Sequence, residues 1–149
     1  MGKAETRWAA LARRLVEHEA GGRMEATALA EATERACVRL QDRLVPLVGP
    51  DGFRIMLTNA IDITRSEHSF LQAIDARAEL DGCFVNLAEA VKGRLPEEAL
   101  AAVTRLLAEF IGLLGSFVGD ALTLRLVRGA WPEIAWEKTG PTRADGRES

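Results

Sequence analysis

The sequence predicts an all-α fold, a single-domain bundle of five or six helices around a long apolar helix near the carboxy terminus. Periodicity is the first reason. Between Leu95 and Pro132, apolar residues fall at Val103, Leu107, Phe110, Leu114, Phe117, Ala121 and Leu124, alternately four and three apart, which stacks them along one side of an α-helix. A second row, Leu100, Leu107, Ile111, Leu114, Val118 and Leu122, flanks the first and leaves the helix little surface suited to water. Composition is the second reason: tyrosine is absent, aromatics make up 5% and alanine is abundant, which serves helices better than strands. Length is the third, since 149 residues at 48% hydrophobic and 28% charged can bury a core without metal or disulfide staples.

Residues 1–136 read as one helical domain, with 1–20 as a candidate separable arm. Residues 137–149 lack large apolar side chains and read as a disordered tail. In the first helix, Lys3 to Ala20, one face carries Trp8, Leu11, Ala12, Leu15 and Val16, and Gly21 and Gly22 end it. A second helix spans Met24 to Val45 and points Leu29, Ala36, Leu40, Leu44 and Leu47 inward. Its flank carries Arg35, Arg39 and Arg43 with Glu31 and Asp42 nearby, a ladder that reads as a solvated face rather than a phosphate site.

Pro46 and the run VGPDG punctuate the chain, and Pro50 suits the first position of a third helix. Its apolar arc is Phe53, Met56, Leu57, Ala60, Ile63 and Thr64. Continuing that helix would carry Glu67 into the arc, and burying an unpaired carboxylate costs several kcal/mol, so it should end near Ser66. Ser69 to Leu80 reads as a weaker helix presenting Phe70, Leu71, Ile74 and Ala78. Asp81 and Gly82 are turn formers, and Cys83 to Lys92 reads as a short helix burying Phe84, Leu87, Ala88 and Val91.

The central helix then starts at Pro96. Its third row is small: Ala108, Gly112, Gly115 and Gly119. Each helical glycine costs roughly 1 kcal/mol relative to alanine, so something should offset the row. Three explanations are open: close packing against a helix of the same chain or a second copy, a groove for an apolar ligand, or a break at Gly119 with Asp120 capping a further helix. Gly129, in the left-handed conformation, and Pro132 should stop the element, after which Trp131, Ile134 and Trp136 cluster.

A net charge of −3 argues against a protein built to coat nucleic acid, and no recognition helix of a helix-turn-helix stands out. Cys37 and Cys83 are isolated in the sequence and form no C-x-x-C pair, so they read as small apolar fillers in a reducing compartment. The first helix breaks its apolar residues with charges, unlike a secretory signal, which points to the cytoplasm. Lys3, Lys92 and Lys138 are the only lysines among 19 basic residues, a skew of the kind GC-rich bacterial genomes impose.

The densest reactive set is Asp62, Arg65, Glu67, His68 and Asp75. Glu67, His68 and Asp62 are the catalytic candidates, because a buried carboxyl beside an imidazole can exchange protons. No H-x-x-x-H or E-x-x-H pair, G-x-S-x-G or phosphate loop accompanies them, so no metal or other cofactor is expected and the set reads as a helix junction. The interface candidates are Ala108, Gly112, Gly115, Gly119, Trp131 and Trp136. The expected function is therefore a non-catalytic protein-protein interaction or regulatory module that self-associates as a homo-oligomer. One alternative is a membrane-active bundle shielding its central helix, although the uncharged run between Glu109 and Asp120 falls short of the ~20 residues that span a bilayer. Another is a small-ligand binder or enzyme at the Glu67/His68 junction.

Overall fold

The computed structural model describes the backbone of residues 3–77 and 82–136, with side chains from Trp8 onward. It is an all-α, single-domain helical bundle with almost no sheet. The expectations for Ala78, Leu80, Asp81 and the 137–149 tail lie outside the described residues.

Helix α1, Lys3–Ala20, buries Trp8, Ala12, Leu15, Val16 and Ala20 against helices of its own chain. Gly21 and Gly22 (φ +60° and +91°) turn the chain into α2, Ala26–Arg65. That helix is two pieces joined at a kink, because Gly49 adopts φ 83°, ψ 161° between Pro46 and Pro50. The residue before a proline is pushed out of the α region, and glycine meets that demand with a left-handed φ. The first piece runs past Val45, and Leu47 near its end is 56% exposed instead of inward.

In the second piece Phe53, Leu57, Ala60, Ile61 and Thr64 are buried. Ile61 takes the inward place expected of Ile63, which is 37% exposed. Thr64 satisfies its hydroxyl on the Ala60 carbonyl at 2.8 Å. The helix stops at Arg65, and the Ser66 hydroxyl donates to the Ile63 carbonyl at 2.7 Å.

The segment from Ser69 corrects the expectation of a helix. Among the described residues only a 3₁₀ turn, Ser69–Leu71, forms there, followed by β1 (Asp75–Ala76) paired antiparallel with β2 (Phe84–Val85). The reason lies on α2: Glu34 accepts the backbone N–H groups of Cys83 at 2.7 Å and Phe84 at 3.0 Å, so these amides need no helical partner. Helix α3, Leu87–Val91, therefore begins later than Cys83, after Asn86 in a left-handed conformation (φ 68°). Phe84, Leu87 and Val91 are still buried.

Helix α4, Pro96–Val118, opens with proline in its first turn and Glu97 and Glu98 at its positive end. Leu100, Val103, Leu106, Leu107, Phe110, Ile111 and Leu114 lie in the core. Gly119 (φ 95°, ψ 152°) ends it, and α5, Asp120–Ala130, runs back. The chain reverses there, so the last turn of α4 forms an end of the bundle rather than its middle, and Phe117, expected inside, is 69% exposed. Gly119 itself occupies the capping position of α5, with Asp120 in its first turn. Gly129 stays helical, contrary to expectation: a Cβ there would collide with the Arg43 guanidinium lying over it. Trp131 closes α5 by donating its N–H to the Val127 and Arg128 carbonyls at 3.2 Å each.

Candidate functional site

Where α2 ends, the predicted junction is assembled largely from exposed charges. Arg65 Nη2 lies 3.0 Å from Asp62 Oδ1 and 3.8 Å from Asp75 Oδ1, while its Nη1 donates to the Gln72 carbonyl at 2.9 Å. Glu67, freed by the helix ending, is on the surface, 3.8 Å from Arg105 Nη1. Arg105 also binds Glu109 through Nε at 2.7 Å. His68 stacks edge-on to Phe70, with centroids 5.9 Å apart. Its partial burial lowers its proton affinity, Arg105 lowers it further and Glu67 opposes the shift. Among the described residues no hydrogen bond joins Glu67 to His68, so the proton exchange that would make them an acid–base pair has no direct path.

At the carboxy-terminal corner, sequence reading missed a larger network. Trp131 is fully buried and donates its indole N–H to Glu19 at 2.8 Å. Glu19 also pairs with Arg39 Nε at 3.0 Å and Arg35 Nε at 3.5 Å, with only 9% of its side chain exposed. Arg39 reaches on to Glu133 at 2.7 Å and to the Ala130 carbonyl at 2.7 Å, and its guanidinium lies 5.3 Å from the Trp131 ring centroid. Trp136 donates to the Trp131 carbonyl at 3.0 Å and sits under Arg14, which itself donates to the Ala135 carbonyl at 3.0 Å. Arg39, one of the row read as a solvated face, thus clamps the final segment, while Arg35 and Arg43 stay exposed.

Glu133 is held down to about 2 by the Arg39 hydrogen bond, its own backbone N–H and the His18 ring nitrogen 2.8 Å away. The bond to Glu133 in turn raises the proton affinity of Arg39. Ligand atoms of His18, Glu19 and Glu133 lie within 4.8 Å of one another. Arg39 already brings its positive charge to both carboxylates, so a cation there would have to displace it.

The small-residue row faces protein at Gly115. A Cβ added there would sit 3.2 Å from Trp8 Cζ2 and 3.0 Å from Asp120 Oδ1, leaving no room for a ligand. Ala108 and Gly112 are buried, whereas Gly119 is exposed and supplies the break. Between α2 and the β2–α3 segment lies an open cavity of about 520 Å³, lined by Glu31, Glu34, Arg35, Arg77, Phe84 and Leu87 among others.

Three large apolar side chains stay exposed near the kink of α2 and the end of α4. The Phe53 and Phe110 rings meet edge-on at 5.3 Å, and Glu67 lies near Arg105, so α2's second piece runs antiparallel to α4. Its kink therefore lies toward the carboxy-terminal end of α4. Phe117, two turns beyond Phe110 on the same face, is 69% exposed there, and Leu47 beside the kink and Ile55 are 56% and 58% exposed. Helix α4 is also long and apolar enough to cross a membrane by length and composition, contrary to the shorter span expected from its uncharged run, and 56% of its most apolar window is buried in the bundle. No family model, curated protein or solved structure matches the chain.

Proposed function

We propose that this chain is a non-catalytic helical interaction module that associates with a second copy of itself through the apolar end around Phe117. The observation that carries the reading is Phe117, a large apolar side chain 69% exposed at the bundle end where Leu47 also lies open. Exposed apolar side chains gathered on one surface are the usual mark of a protein contact, and aromatic residues supply much of the binding energy at such contacts. The polar clusters support the same reading, since their charges are spent on one another and on backbone carbonyls rather than aimed at a shared reacting centre. The arginine-rich composition supports a bacterial setting.

Light scattering over a concentration series tests the proposal. The native chain should shift from monomer toward dimer as concentration rises, and Phe117→Asp should stay monomeric. A strict monomer at every concentration overturns self-association. A second reading, release of α4 at a bilayer, is favoured by that helix's length and composition. Leakage of anionic vesicles at neutral or acidic pH supports it, and intact vesicles at both count against it.

A further inference from the structure

Cys37 on α2 and Cys83 at the start of β2's segment are far apart in the sequence, yet one helix face brings them together. Glu34, one turn before Cys37, accepts the Cys83 N–H at 2.7 Å. Gln41, one turn after it, donates Nε2 to the Gly82 carbonyl at 3.3 Å. The segment is thereby pinned on both sides of Cys37, which sets the Cys83 backbone against the α2 turn that carries Cys37. Both cysteines are free and buried, Cys37 at 0% and Cys83 at 1% exposure. A pair invisible to a search for C-x-x-C spacing is therefore assembled by tertiary structure.

We propose that Cys37 and Cys83 form a reversible intramolecular disulfide that fastens the β1–β2 hairpin and α3 to α2. The oxidant is a low-molecular-weight disulfide, for which oxidised glutathione is the probe. The Cys83 thiolate attacks one sulfur of the reagent, whose S–S bond breaks and releases one small thiolate. The Cys37 thiolate then attacks the Cys83 sulfur of the mixed disulfide, forming the protein S–S bond and expelling the second small thiolate. The protein loses two electrons and two protons, and the reagent is reduced to two thiols.

Burial, then the neighbouring Cys83, pushes the Cys37 thiol well above its ordinary range, so reaction waits on opening of the segment that carries Cys83. The β1–β2 ladder is only two residues long on each strand, so opening the segment breaks few backbone bonds beyond its anchors on Glu34 and Gln41. Glu31, Glu34 and Arg35 line the cavity from α2, and Phe84 and Leu87 line it from the other side. The new bond ties these two walls together, so the redox state sets whether the cavity can widen.

The full chain is equilibrated in glutathione buffers of rising oxidised fraction, quenched with acid, alkylated while unfolded and mapped by mass. The expected product is unalkylated, about 2 Da lighter than the reduced chain, and yields a linked peptide containing Cys37 and Cys83. Closing a loop of about 47 residues should raise the melting temperature by on the order of 10 °C, reversibly with dithiothreitol. Cys83→Ser should show no such shift, and the mapping needs no variant to be decisive. Two alkylated thiols at every buffer ratio, or only glutathione adducts or disulfide-linked dimers, would overturn the proposal.

Discussion

The two ends of α1 stand in contrasting surroundings. Glu19, near its carboxy terminus, sits in a corner where Trp131, Arg35, Arg39 and Glu133 satisfy one another almost completely. Trp8, near its amino terminus, packs on Gly115 at the end of α4, two residues before the open Phe117. The first corner spends its polar groups on holding the last segment of the chain, and the second leaves apolar area uncovered. Stability and recognition are thereby separated along one helix, so substitutions at the two ends should affect different measurements.

The largest effect is expected from Trp131→Ala. It removes a fully buried ring and leaves the Glu19 carboxylate without its indole donor, so urea unfolding should show a loss of about 3–5 kcal/mol. Glu19→Ala should cost about 2–3 kcal/mol, since the carboxylate is nearly buried and its removal leaves the buried Trp131 N–H unpaired and takes one partner each from Arg35 and Arg39. Thermal melts at neutral pH check that ordering.

Glu133 adds a pH dependence. Its folded proton affinity is lowered from 4.5 to about 2, so its stabilisation is complete above the unfolded value and is lost as pH falls from 4.5 through about 2. Glu133→Gln should flatten the stability profile across that window and leave Phe117-dependent association unchanged. The smallest stability effect belongs to Phe117→Asp: at a site this exposed, the midpoint in urea should move by no more than about 0.5 kcal/mol. The same change should raise the dimer dissociation constant about ten-fold or more by sedimentation equilibrium. If it unfolds the chain instead, the contrast between the two ends is wrong.

The helical framework was legible because a 3.6-residue period leaves its mark wherever a long element has one dry face, as at Leu100 to Leu114. The stop near Ser66 was legible from the cost of burying Glu67. The described residues 69–77 and 82–86 were not. Their apolar runs are short, and the β2 segment depends on Glu34 reaching across from α2 to bind the Cys83 and Phe84 amides. The arginine row misled for a related reason, because Arg39 finds its partners some ninety residues away at Ala130 and Glu133. Phe117 fits the apolar spacing of its helix, and spacing alone carries no sign that the chain reverses two residues later at Gly119. Of the interface candidates, Trp131 is instead buried within its own chain, and its partner Glu19 carried no local signal to set it apart from other glutamates.

Hydrogen exchange on the native chain at low and high concentration tests the central claim most directly, because it locates the contact as well as detecting it. Amides of residues 113–119 and 45–49 should gain protection as concentration rises, while those around Trp131 stay unchanged. Protection that grows at the tryptophan corner, or nowhere, would contradict the account.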